Sequence, residues 1–161
     1  MSLKDVLIFW FPSNGLSYQK FWFSDDTETD RMIRDIFSPL LTEAEKNTEV
    51  YLTCTDPQDL LALVILFDQF TRCIYRGTRD YNKNDKIARQ LADRIFLSGY
   101  SVGLTVEQQI FALMPYRHSY NLCDTEFVVG MLEEFEQSDN SLLLKQFKRN
   151  TLRQQASLLT I

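Results

Sequence analysis

The residues best suited to chemistry in this chain lie in the stretch LLALVILFDQFTRCIYRG, residues 60–77. Behind a run of apolar residues it places Asp68, Gln69, Arg72, Tyr75 and Arg76. Asp68 and Arg72 stand four apart with the acid first, the favourable order for an ion pair along a helix. Arg72 and Arg76 are also four apart, so they repel unless an anion or another carboxylate lies between them. Two guanidiniums side by side can clamp a small anion, with Asp68 orienting one of them. The same residues can equally form a structural network that ties one helix to its neighbour, because buried charges are found mainly in pairs.

The second group is LMPYRHSYN, which carries the only histidine, His118. An imidazole is the natural side chain for proton transfer near neutral pH, which makes His118 the candidate acid/base. The alternative is a polar residue at a helix junction, hydrogen-bonded to backbone. Ser119 is adjacent, but a nucleophile–base pair needs spatial geometry rather than adjacency. A single His without ligand-spaced Cys, His or carboxylate partners predicts no metal site. Phosphate-loop, zincin and nucleophile-elbow patterns are absent, and no cofactor is expected.

These groups need elements to hold them. On a helical wheel Leu60, Leu63, Phe67, Phe70 and Ile74 share one wide apolar face. A second stripe runs from Leu61, Val64 and Ile65 to Asp68, Arg72 and Tyr75, so it starts apolar and turns polar. The pattern predicts a central helix that traverses the domain and emerges into a cleft. Asp56 is a good N-cap, Pro57 suits the first turn and Gly77 a left-handed C-cap, which bounds a helix of about twenty residues.

Around it, helices are predicted from Leu3 to Phe11, through the acid-opened segment ending IFSPLLTEAEK with a kink at Pro39, and from Asp85 to Ser98 before Gly99. Thr105 and Gln108, at capping-box spacing, open another that is expected to break at Pro115 and leave His118 just beyond it. RHSYNLCDTEFVVGMLEEFEQ and residues 141–159 read as the last two. EVYLTCT is the best strand candidate and reads as a loop. The fold class is all-α: an irregular array of about six to seven helices, as helical hairpins around the long central one. The motif FWF occurs twice, in IFWFPSNG and KFWFSDD, as core anchors or as an aromatic wall for a ligand pocket. The basic run Lys145, Lys148, Arg149 and Arg153 reads as a solvated helix face.

A chain of 161 residues fits one domain. Its net charge of −5 argues against general nucleic-acid binding and against docking on anionic lipid. No apolar stretch reaches membrane-spanning length, and VLIFWF is too short for a secretory signal. Cys54, Cys73 and Cys123 are scattered and odd in number, which suits a reducing compartment and predicts a cytoplasmic protein.

Taken in order, VLIFWF, FWF before an acidic helix with IFSPLL, LLALVILFDQFTRCIYRGTRDY with ND shortly after, and QQIFALMPYRHSYNL resemble the bacterial domain-of-unknown-function family nine-two-four over roughly residues 3–136. The resemblance implies an all-helical fold similar to tetratricopeptide-repeat arrays, and no particular reaction. Asp68, Gln69, Arg72, Tyr75, Arg76 and His118 are the matching motif positions. The chain departs from the family pattern at Thr71, usually Pro, and at Cys73, usually Asn. It departs also at Arg117 and Tyr120, where acids are usual, and after Phe135, where a Gly-, Arg-, Phe-, Pro- and His-rich stretch is not visible. Three readings stand: a binding module for a partner peptide or small anionic ligand, an enzyme with an arginine clamp and a histidine acid/base, and a purely structural domain.

Overall fold

Asp56 accepts hydrogen bonds from the Gln58 and Asp59 amides, and Pro57 follows it, so the central helix starts where the sequence places it. In the computed structural model, which describes residues 1–23 and 26–160, eight helices form and none of the described residues is in a strand. Ser24 and Asp25, which fall in the predicted second helix, and Ile161 lie outside the described residues. The helices are α1 (Leu3–Trp10), α2 (Thr27–Glu45), α3 (Thr48–Tyr51), α4 (residues 57–74), α5 (Asp85–Leu97), α6 (Val106–His118), α7 (Leu122–Phe135) and α8 (Leu142–Leu159). A single turn, α3, stands in the EVYLTCT segment read as a loop. No helix of the described residues is long and apolar enough to cross a membrane.

Helix α4 packs against α1, α2, α5 and α6. Every side chain from Leu60 to Asp68 is completely buried, so its first half is enclosed on all sides rather than on two. The helix also carries a feature that the periodicity did not predict. Residues Ile65–Phe70 form a π-helical turn between the α-helical segments Pro57–Val64 and Thr71–Ile74. The Thr71 amide donates to the Leu66 carbonyl, five residues back, and the Thr71 hydroxyl donates to the same oxygen at 3.3 Å. A proline at this position would have no N–H to give. The extra residue per turn defeats a uniform 100° wheel, and single π turns of this kind cluster at functional sites. Beyond Ile74 the chain turns, and Gly77 has φ +81°, in the left-handed region that glycine enters without strain.

Two further expectations are corrected. Helix α6 does not break at Pro115 but continues through it to His118, which is its last residue. Pro115 and its neighbours Met114 and Tyr116 are buried, and the Tyr116 hydroxyl donates to Asp93 at 2.7 Å. Packing and that tether offset the lost backbone hydrogen bond. The next helix begins after Asn121, whose side chain caps it, rather than at Arg117. Arg89 fastens the same region: it makes a bidentate pair with Asp124 (2.8 and 2.9 Å) and lies 3.9 Å over the Tyr116 ring.

Both FWF motifs are anchored on one ring. Phe111 of α6 lies 5.4 Å from Trp10, 5.7 Å from Phe11, 5.0 Å from Trp22 and 6.0 Å from Phe23. The Trp22 indole N–H donates to the Trp10 carbonyl at 2.9 Å, joining the two motifs directly. Replacing Phe111 with Ala is expected to cost about 3–5 kcal/mol in urea unfolding, the range for a large buried aromatic. A loss under about 1 kcal/mol would show that the aromatic wall does not depend on this ring.

Candidate functional site

The π turn places Asp68 at the centre of the molecule with no exposed surface. Its carboxylate accepts from three side chains. His118 Nδ1 lies 2.6 Å from Oδ1, Gln69 Nε2 donates to Oδ2 at 2.7 Å, and Arg72 Nη1 donates to Oδ1 at 3.3 Å. Burial pushes the Asp68 carboxyl up, but His118, Arg72 and Gln69 together outweigh it and hold the group below the usual carboxylate value. An ionised carboxylate can only accept, so the His118 proton on that side sits on Nδ1 and Nε2 is the nitrogen left for exchange. A buried acid orienting an imidazole in this way is the arrangement that general bases use.

Arg72 is shared. While one nitrogen reaches Asp68, the guanidinium makes a bidentate pair with Asp85 at 2.7 and 3.1 Å. Asp85 is the first residue of α5, where the helix dipole favours an acid. Arg76 makes its own bidentate pair with Asp30 of α2, at 2.6 and 3.2 Å. The anion clamp expected of Arg72 and Arg76 is therefore filled by two of the protein's own carboxylates. Tyr75, grouped with them on the wheel, faces another neighbour: Lys83 lies 4.2 Å over its ring and donates to its hydroxyl at 3.1 Å.

Gln69, Arg72 and Arg76 line a cavity of about 140 Å³ together with Cys73. Its opposite wall is Trp10, Phe21, Trp22 and Phe23, so both FWF motifs contribute. Asp68, His118 and Tyr75 are not among the lining residues; Asp68 and His118 stand behind Gln69 and Arg72. Burial pushes the Cys73 thiol up to about 12, which leaves it an unreactive part of the floor. Trp10 is buried, and its indole N–H has no acceptor among the described residues.

Asp68, Asp85 and His118 bring donor atoms within 4.8 Å of one another, a set whose composition would suit a divalent metal. The Arg72 guanidinium already stands among them as the cation, and a metal ion would have to displace it.

The sequence reading missed Asp30 and Asp85, the acids that decide what the arginines do. For Asp85 a signal existed in the ND that follows the main motif. For Asp30, one of many acids before α2, there was none.

Fold and site together define an all-helical domain built on a buried carboxylate–imidazole–guanidinium network. The chain matches the bacterial family of proteins of unknown function DUF924 over residues 6–158, and it belongs to that family. The match reaches through α8, further than the motifs that end near residue 136. Among solved structures the chain is similar to the protein of unknown function ATU0120 from Agrobacterium tumefaciens, at 21% identity and a TM-score of 0.77. The similarity covers 95% of this chain and 80% of that one, and at such identity it establishes the fold alone. No curated protein matches the chain.

Two measurements probe the network. Arg72→Ala removes the cation shared by buried Asp68 and by Asp85 and is expected to cost about 2–4 kcal/mol in urea unfolding; a near-neutral result would show that the arginine is free. Asp68→Asn tests the charge itself. A depressed carboxyl stabilises the fold above its unfolded value, close to the ordinary 3.8, and loses that contribution as pH falls through the lower folded value. The deficit of Asp68→Asn against wild type is therefore expected to be full near neutral pH and to shrink below pH 3.8. A deficit that does not change with pH would contradict an ionised Asp68.

Proposed function

We propose that this chain is a binding module whose ligand occupies the cavity between the aromatic wall and the polar face of α4. The observation that carries this reading is the mixed lining: four aromatic residues face Gln69, Arg72, Cys73 and Arg76 across one small space. Small-molecule sites typically combine apolar walls with a few placed polar groups. The volume of about 140 Å³ suits a small molecule or one side chain of a partner peptide, not a peptide backbone. Three carboxylates (Asp30, Asp68 and Asp85) pair with the two arginines, which disfavours a multiply charged anion. The occupant that fits is small, planar and polar, with at most one carboxylate.

The hairpins α5–α8 support the likeness to tetratricopeptide-repeat arrays, whose grooves take peptides, though this is an analogy of fold. Three free cysteines support a reducing, cytoplasmic setting.

A second reading has its own observation in the Asp68–His118 pair, oriented as in a general base. Here the bound molecule would exchange a proton with Nε2.

Trp10 and Trp22 are the only tryptophans, and both line the cavity, so their indole N–H signals report on it. In an NMR screen of small carboxylates, amides and heteroaromatic compounds, a binder is expected to move one or both signals, and Gln69→Ala to weaken it. If no compound moves either signal, the binding reading fails. For the second reading, wild type should convert the bound compound about 10²–10⁴-fold faster than His118→Gln. Equal, negligible conversion by both would end it.

A further inference from the structure

Arg117 differs from Arg72, Arg76 and Arg89 in its company. It is partly buried at the end of α6, next to His118, and no described carboxylate lies within ion-pair distance of it. Its guanidinium is nevertheless held in place. Nε donates to Gln154 Oε1 at 3.0 Å, Nη2 donates to the Asn150 carbonyl at 3.4 Å, and the group lies 5.4 Å from the Phe147 ring centroid. Gln154 is fixed in turn, because its Nε2 donates to the Arg117 carbonyl at 2.7 Å. All these partners are neutral. Nη1 has no acceptor among the described residues.

This guanidinium opens on a groove of about 400 Å³ between the end of α6 and α8. Arg153 lines the same groove, with Asn150, Gln154, Ser157 and the Tyr120 side chain, and no acid is among its lining residues. On a chain of net charge −5 this is a locally positive recess. A partly buried charge without a counter-charge is unfavourable by itself, and two guanidiniums at one recess repel. Both costs fall when an anion enters. Arginine forks match carboxylate and phosphate groups in a way that bulk chloride does not.

We propose that the α6–α8 groove is an oxyanion site, in which Arg117 Nη1 and Arg153 receive a carboxylate or phosphate group and Ser157 and Asn150 offer further hydrogen bonds. This site is separate from the α4 cavity and does not rest on the function proposed for it. Gln154 is the positioning residue, since it holds Arg117 from both ends. The basic run in α8, read from the sequence as a solvated face, contributes Arg153 to it.

The test is a titration of inorganic phosphate, and separately of acetate, at constant ionic strength balanced with chloride, read as the shift in thermal midpoint. Phosphate, acetate or both are expected to raise the wild-type midpoint, and the ion that acts better identifies the preferred group. Arg117→Met is expected to abolish the response while its midpoint in chloride stays equal or rises, because an uncompensated charge has been removed. Arg153→Gln, a change at an exposed position, should weaken the response several-fold. No response of the wild type to either ion would overturn the proposal, as would a full response in Arg117→Met. Should Arg117→Met not fold, an undiminished response in Arg153→Gln would overturn it equally.

Discussion

A carboxylate with no contact with water stays ionised only if protein donors replace the water it has lost. Asp68 is in that position, and much of the molecule is arranged around the requirement. The π turn sets the acid at the centre of α4. Helix α6 continues through a proline to bring His118 to one carboxylate oxygen. Gln69 takes the other oxygen, and Arg72 links the acid to Asp85 at the start of α5. One buried charge thus joins three helices. Loss of a donor leaves it under-compensated, and a buried charge short of partners is among the costlier defects a fold can carry.

The same requirement limits what the neighbouring cavity can hold. Arg72 and Arg76 look like an anion clamp when their own helix is viewed alone. In the folded chain each is answered by a carboxylate from another helix, so the polar face of α4 is close to neutral or acidic. What remains is a small pocket between that face and an aromatic wall assembled on Phe111. Arg117 shows the opposite balance. It is held by an amide, a carbonyl and a ring, all neutral, and it opens on a groove that contains another arginine and no acid. Which arginines are answered within the chain depends on helix packing, not on their spacing along one helix.

Several features were legible because their physics is local. The Asp56–Pro57 start, the Thr105–Gln108 capping box and the left-handed Gly77 each involve residues a few positions apart. So does the Asp68–Arg72 pair across one turn. The twin FWF motifs were readable as aromatic anchors by type alone. What escaped was of two kinds. The π turn depends on one amide choosing a carbonyl five residues back instead of four, a choice to which side-chain periodicity is blind. Pro115 was misread as a break because its local cost is certain, whereas the burial of Met114 and Tyr116 that offsets it comes from other helices.

By itself, then, the chain determined an all-α architecture, the helix starts that carry their own caps at Asp56 and Thr105, its long buried axis and the identity of the groups able to do chemistry, since caps, hydrophobic periodicity and side-chain type act over a few residues. Only the tertiary structure decided which of those groups meet. Asp30 reaches Arg76 across 46 positions, His118 reaches Asp68 across 50, and Gln154 secures Arg117 across 37. Such pairings follow from how helices pack against α4 and α6. Packing is a property of the whole set of buried surfaces, and no short window of sequence contains it.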